Sequence, residues 1–370
     1  MKQGKPDYIL LGTVIVLIVL GILILSSVSA ILSQEEFGTT FYFLSHQILF
    51  GLVPGIILGF LAFKANLPFL KKISPVFLLI NLGMVGLVLL PQIGTTFRGS
   101  SRWLNLGPIS FQPTEFLKLT FILYLSTWLA GRTEKISSRK TEKAFNETLV
   151  VFLIIIGLIS LFLICQPDIS TLGVIFLTAM AMYFSANTPL WHNILVVISA
   201  AGGLLILIKT APYRLNRILV FLNPDFDPMG KGYQIKQSLI AIGSGGLLGL
   251  GLGMSRQKFG FLPQSVSDTI FAIFAEETGF IGSSILIFLF LILLWRGFKI
   301  AKNSHERFAY LSATGITTWI VVQGFINIGA LIGILPLTGI PLPFISYGGS
   351  ALVTELIGIG VLLNISRAMG

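Results

Sequence analysis

Charge is what this chain has least of: of 370 residues, 25 are Lys or Arg and 15 are Asp or Glu, 11% in all, against 54% hydrophobic. That balance lies far outside the range of soluble globular domains and points to a polytopic membrane protein. A single cysteine, Cys165, excludes an internal disulfide, so folding needs no oxidising compartment. The three histidines, His46, His192 and His305, are scattered along the chain, and neither an HExxH pattern nor a Walker loop is present. Nucleotide hydrolysis, a histidine metal site and Ser-His-Asp catalysis are thereby disfavoured. No polar stretch is long enough for a separate globular domain, and neither repeats nor low-complexity tracts divide the chain, so residues 1–370 are expected to form one membrane domain. The formal charge of +10 is dispersed among apolar runs rather than gathered on a soluble face, which argues against nucleic acid as a partner.

What is present is a succession of apolar runs of about 20 residues, the length that crosses the hydrocarbon as a helix. Ten segments qualify: 8–32, 42–63, 74–91, 113–131, 145–165, 168–186, 189–208, 268–296, 307–332 and 347–366. The expected fold class is an all-α integral membrane protein of about ten transmembrane helices. The run from Tyr8 to Leu32 exceeds a signal-peptide core and is expected to stay as the first helix. With the N-terminus inside, 15 of the 25 basic residues fall on the cytoplasmic side, and the even span count returns the C-terminus there.

The long connection 209–267 is then extracytoplasmic, and it holds Lys209, Arg214, Arg217, Lys231, Lys236, Arg256 and Lys258 against the usual bias. Such a cluster suggests an anionic partner at the outer face; a merely sticky lid is the alternative. Within it, 214–222 and 233–253 are too apolar to lie free in water and are expected in the interface or re-entering the protein. The glycines at 243, 245, 246, 249, 251 and 253 would permit close backbone packing or tight turns.

Candidate chemistry gathers on the same side. Carboxylates at membrane depth cost on the order of 2.5–3.5 kcal/mol each, so each asks for a reason. In RGSSRWLNLGPISFQPTEFLK (98–118), Pro113 opens a helix and Glu115 and Lys118 share one face at i and i+3. They form either a neutralising structural pair or, through Lys118 with Arg98 and Arg102, a phosphate clamp. Asp168 in QPDIST (166–171) can stabilise a helix N-terminus. Asp268 opens an apolar helix, either as its cap or as a base facing the basic loop. Glu276 and Glu277 lie about 100° apart on that helix, so at least one is expected to bond internally. In PLTGIPLPFISYGGSALVTE (336–355), three prolines and two glycines require a buried or cavity-lining backbone. It brings Ser350 and Glu355 to the start of the last span, Glu355 reading as a satisfied core charge more readily than as a catalyst.

These motifs, together with YRLNR, the 223–263 segment and DTIFAIFAEETGFIG, closely resemble the SEDS family (shape, elongation, division and sporulation), which includes FtsW and RodA. The resemblance covers nearly the whole chain, and SRQKFGFLP is closer to the division branch, FtsW. It implies a peptidoglycan glycosyltransferase that polymerises lipid II outside the cytoplasmic membrane, partnered through transmembrane helices by a class B penicillin-binding protein and by other division proteins. Asp268 matches the family's essential aspartate, and Arg98, Arg102, Glu115, Lys118, Arg214, Arg217, Lys258 and Ser350 are candidates for contact with the lipid II pyrophosphate. A divalent cation, Mg or Mn, stays open as a helper, although no carboxylate spacing compels a metal. The chain departs from the family at Pro263-Gln264 and Val266-Ser267-Asp268, where many members read Leu-Pro-Glu and His-Thr-Asp, so a neighbouring carboxylate and a histidine are missing. A lipid II transporter and a non-catalytic division scaffold are the rival readings.

Overall fold

The structure, a computed structural model, describes residues 4–368 except 91–93, 98, 99, 108, 140, 141, 211, 224–226, 228, 229 and 231, and omits the side chains of 94–97, 100, 101, 105, 106, 109, 133–139, 142–146, 212 and 213. Of the candidate residues above, Arg98 and Lys231 lie outside the described residues, as do Lys2 and Lys140 and the side chains of Lys135, Arg139 and Lys143 among the cations expected on the cytoplasmic side.

In chain order the helices are α1 (Tyr8–Phe37), α2 (Tyr42–Gln47), α3 (Val53–Lys64), α4 (Leu67–Val88), α5 (Pro113–Arg139), α6 (Glu142–Cys165), α7 (Ile169–Ser185), α8 (Leu190–Thr210), α9 (Pro212–Leu222), α10 (Tyr233–Ser244), α11 (Ile270–Asn303), α12 (Arg307–Leu331) and α13 (Gly349–Arg367). A π-helical stretch, Ile48–Leu52, joins α2 to α3, so that Tyr42–Lys64 runs as one span. Among the described residues eight helices are long and apolar enough to cross a membrane. At 17 residues α7 is shorter, and α5 carries the charged residues Glu115 and Lys118 in its opening turns. A helix therefore stands at every predicted span, with the largest boundary differences at α5, which continues to Arg139 rather than 131, at α11, which continues to Asn303 rather than 296, and at α4, which begins at Leu67 rather than 74. Asp7 starts α1 by accepting from Leu10 N at 2.9 Å, and Gly38 ends it in the left-handed region at φ 69°.

The all-α expectation holds, with one small addition. Strands β1 (Gly94–Phe97), β2 (Ser100–Leu106) and β3 (Ile109–Phe111) form a small antiparallel sheet in the order β1-β2-β3, with Thr95 opposite Trp103 and Asn105 opposite Ser110. A connection rich in Ser, Thr and alternating apolar residues satisfies its backbone by pairing with itself.

Helices α12 and α13 form the centre: 83% and 78% of their span windows are buried, against 17% for α8 at the periphery. Close approach to α13 is made by glycines four residues apart, Gly51, Gly55 and Gly59. A Cβ on Gly59 would stand 2.7 Å from Leu356 O, and one on Gly360 2.1 Å from Gly59 O. Contact of backbone with backbone through small residues is how helices pack tightly where lipid supplies no hydrophobic drive.

A correction concerns the eighth predicted span, 268–296, which is not one continuous helix. Gly279 has φ 68° and ψ −164°, breaking α11 after its first nine residues. The glycine segment 245–251 fills the break: Leu250 N and Gly251 N donate to Glu276 O and Glu277 O at 3.0 Å each, while Phe280 N and Ile281 N donate to Gly246 O and Leu247 O at 2.9 and 3.2 Å. The stretch 233–253 is thus α10 and the glycine segment, packed against an interrupted helix. Freed backbone groups at this depth are tolerated because protein satisfies them. Cβ atoms on Gly249 or Gly279 would lie 2.2 and 2.3 Å from the opposing backbone, so no larger residue fits this contact.

One end of the bundle joins the two described chain ends, with Gly4 N donating to Arg367 O at 2.9 Å and Asp7 N to Ser366 Oγ at 3.0 Å. The opposite end gathers the sheet, the 166–171 turn, the 253–269 segment and the 336–348 loop.

Candidate active site

Asp268 sits at that loop end, half-buried, in the turn before α11. The residue in the cap position is Thr269, one position on, with no side-chain cap bond. The backbone of Asp268 is fixed from two directions. Asn327 Nδ2, on α12, donates to Asp268 O and to Ile340 O at 2.8 Å each. Ser346 Oγ donates to Ser267 O at 2.6 Å, and Tyr347 N to Val266 O at 2.9 Å. The 339–347 loop therefore lies alongside the aspartate, close enough that a Cβ on Gly339 would be 3.4 Å from Asp268 Oδ2. Tyr347 itself bonds His46 Nδ1 at 3.0 Å; burial, with Tyr42 adding to it, pushes its phenol up to about 12, so it stays protonated at physiological pH. Where the family pattern carries a carboxylate, Gln264 accepts from Ser267 Oγ at 3.0 Å and steadies the same turn.

Upstream, two carboxylates clamp the segment that leads to Asp268. Glu276 accepts from Arg256 N at 3.1 Å, from Gln257 N at 3.4 Å and from Ser255 Oγ. Glu277 accepts from Ser27 Oγ on α1 at 2.9 Å and from Ser255 N at 3.4 Å, and pairs with Lys258 Nζ at 3.5 Å. Lys258 is buried, and its ammonium also donates to Ser27 Oγ and Gly253 O. Both carboxylates of the pair thus bond internally, one more than their spacing required. The break at Gly279 lets the glycine segment and the 255–258 turn cover both faces of the short first half.

A third assembly lies deeper. Lys118 pairs with Glu115 at 2.8 Å and donates to Gln323 Oε1 at 2.6 Å, both charged side chains fully buried. Trp319 Nε1 donates to the same oxygen at 3.0 Å, the ammonium lies 5.3 Å from the Trp319 ring centroid, and Gln323 Nε2 donates to Pro341 O at 3.0 Å. Glu355, on α13, accepts from Phe344 N at 2.9 Å and holds the 341–344 loop from the other side. Of the two alternatives for Glu115 and Lys118, the neutralising pair is the one that the contacts describe.

The remaining candidates divide. Asp168 caps α7 through Thr171 N and Thr171 Oγ1, at 3.4 and 2.9 Å, and faces Arg102 at 3.7 Å. Arg102 also donates to Gln166 O and Pro167 O, tying β2 to that turn. Ser350 Oγ accepts from Gln112 N at 3.1 Å, joining α13 to the start of α5. Arg214 donates to Leu207 O at 2.7 Å, and Arg217 is exposed one turn along α9, which packs chiefly on α8. The structure therefore brings Asp268 together with the 336–347 loop, and gives Arg102, Lys118 and Lys258 protein partners rather than open faces.

Gln323 and Asn327 were missed by sequence reasoning, although two amides four residues apart in an apolar helix mark a polar stripe. Ser27 and Ser255 left no signal, since serine is common in spans. Among the described residues no three His, Cys, Asp or Glu side chains gather as a metal ligand set.

The family model of the FtsW, RodA and SpoVE cell cycle proteins matches residues 8–369. Stage V sporulation protein E of Bacillus subtilis is 39% identical over 366 residues, covering 99% of this chain and 98% of that protein. The probable peptidoglycan glycosyltransferase FtsW of Coxiella burnetii is 40% identical over 354 residues, 95% of this chain and 93% of that one. A chain solved in a peptidoglycan synthase complex that coordinates polymerization and crosslinking superposes with a TM-score of 0.77 at 26% identity, covering 98% of both. The rod shape determining protein RodA of Thermus thermophilus, solved also as an aspartate-to-alanine mutant, gives 0.70 in that mutant form, at 26% identity over 98% of this chain and 97% of its own.

Proposed function

This chain belongs to the FtsW/RodA/SpoVE family of cell cycle proteins, and on that premise we propose that it polymerises lipid II into β-1,4-linked glycan at the outer face of the bacterial cytoplasmic membrane, with Asp268 as general base. It is a multi-pass membrane protein and a peptidoglycan glycosyltransferase. Both termini lie in the cytoplasm, the distribution of basic residues supporting that orientation.

One observation carries the assignment of the base. Glu115, Glu276, Glu277 and Glu355 are buried inside the bundle, whereas Asp268 is half-buried at the loop end, on a turn fixed by Asn327, Ser346 and Tyr347. A fixed carboxylate at the rim of a loop cluster is suited to accept the proton of the acceptor sugar's 4-hydroxyl as that oxygen attacks the anomeric carbon of the donor. The bond to undecaprenyl pyrophosphate breaks as the glycosidic bond forms. One displacement inverts the α-linked donor to a β-link, so no second carboxylate is required as nucleophile. Arg217, exposed on α9, and Arg214 beside it are the cations best suited to meet the departing pyrophosphate. The partner is a class B penicillin-binding protein that crosslinks the strands, as the likeness to a synthase complex supports, and the process served is cell division.

The test is polymerisation of fluorescent lipid II by the purified protein with a cognate class B partner, comparing wild type with Asp268→Ala and Asp268→Asn. Loss of the base should lower the rate by roughly 10²–10⁴. Wild-type glycan ladders from a folded Asp268→Ala protein would remove Asp268 from the mechanism. Movement of labelled lipid II between liposome leaflets without polymer would favour a transporter, and inactivity of folded wild type a scaffold.

A further inference from the structure

Far from the loop cluster, at the end of the bundle where the described chain ends meet, a crevice of about 390 Å³ opens between the start of α1 and the last turns of α11. Its walls carry Lys5, Arg296 and Lys299 with one carboxylate, Asp7. That carboxylate is committed: Asp7 caps α1 and holds Arg296 through its Nε at 2.9 Å and its Nη2. Among the described residues no carboxylate is paired with Lys5 or Lys299, and both are exposed. The crevice thus presents two cations and a buttressed third, for which the glycosyltransferase reaction has no use.

Its setting is the membrane interface. Tyr8 and Trp295 are 63% and 58% exposed at its rim, and the Trp295 ring has Arg296 and Lys299 at 5.2 and 5.7 Å from its centroid. Amphipathic rings of this kind sit at headgroup depth. One and two turns toward the middle of the bundle, on the same face of α11 as Trp295, Leu291 and Phe288 are 43% and 60% exposed and continue as an apolar wall. Topology alone would ask only for cations somewhere beyond a span end. It does not ask that residues almost 300 positions apart in sequence line one cavity, with polar Ser366 at its floor and an apolar flank beside it.

We infer that this crevice binds the phosphate headgroup of an anionic phospholipid, with Lys5 and Lys299 contacting the phosphate, Arg296 held in place by Asp7, and the acyl chains lying along Leu291 and Phe288. Basic pockets between transmembrane helices take anionic headgroups, and each basic residue near such a surface is worth about fivefold in binding.

The test is native mass spectrometry of the detergent-solubilised full chain titrated with phosphatidylglycerol and, in a parallel arm, phosphatidylcholine. Wild type should retain phosphatidylglycerol over phosphatidylcholine, and the double variant Lys5→Gln/Lys299→Gln should bind it about 30-fold more weakly. The charge-preserving Lys5→Arg/Lys299→Arg should keep it, which separates lost charge from misfolding. Equal retention by wild type and the glutamine variant would overturn the site. Displacement of the lipid by millimolar glycerol 3-phosphate would overturn the lipid assignment in favour of a soluble anion. Asp268 takes no part in this readout, so the result is independent of the polymerisation test.

Discussion

Two assemblies of carboxylate and lysine are buried in this protein, and they hold different things together. Glu115, Lys118 and Gln323 join α5 to the central α12, and Glu355 adds α13 by way of the 344 backbone. Glu276, Glu277 and Lys258 instead hold a loop onto a broken helix, and that loop runs directly to Asp268. The chemistry is alike; the first is part of the core, and the second fastens the segment that leads to Asp268, the proposed base. Removing a charge from the first should cost the fold, and weakening the second should cost the reaction more than the fold.

The largest effect is expected at Lys118→Met, which strands Glu115 without its partner. Breaking a buried pair from one side costs roughly 3–5 kcal/mol, and replacing both members by neutral groups costs less. Thermal unfolding in detergent should show a large drop for Lys118→Met and partial recovery in Glu115→Gln/Lys118→Met. If the double variant is no better than the single, the pair is not an isolated electrostatic unit.

Gly249→Ala comes next. Its φ of 82° and a Cβ 2.2 Å from Glu277 O strain the junction between the glycine segment and the break in α11. Left-handed strain alone is about 1–3 kcal/mol. A clear fall in Tm with near-complete loss of polymerisation is expected; an active variant of unchanged Tm would mean that the break is not held by this contact.

The smallest effect on stability should come from Glu276→Gln, which keeps shape and one acceptor but gives up the charge that receives Ser255, Arg256 and Gln257. Hydrogen bonds to a charged group contribute about 1.5–3 kcal/mol, only part of which the amide forfeits. Polymerisation should nonetheless fall at least tenfold, carried by kcat rather than KM. Equal losses of Tm and activity at this site and at Lys118 would erase the distinction between the two assemblies.

The helix positions were open to reading because an apolar run of span length has few alternatives in lipid. The Glu115–Lys118 pair was open as well, since i and i+3 place both charges on one face. Arg102 was not: its partners are carbonyls at 166 and 167, about 64 residues away in sequence, and carbonyls carry no sequence signature. Nor was the interruption of α11, because one glycine within a run of span length carries no sign of a break and the compensating groups come from another segment. The sheet escaped for a related reason, its short strands being read as a polar connection with functional residues. Asp268 stood out through its motif, while Asn327, which sets its backbone, lay within a helix read only for its length.

The interrupted helix bears on how the chain is made. The glycine segment emerges before α11, and its amides and carbonyls at 246–251 have their partners in residues synthesised about 30 positions later. Bare backbone groups cost several kcal/mol each in hydrocarbon. The segment must therefore wait near water until the next helix has entered the bilayer, and α11 itself, long enough to span as one helix, can be inserted whole and broken afterwards. Biogenesis of the reaction centre is in this sense a late event, completed when an already inserted helix exchanges some of its own hydrogen bonds for those of an earlier loop.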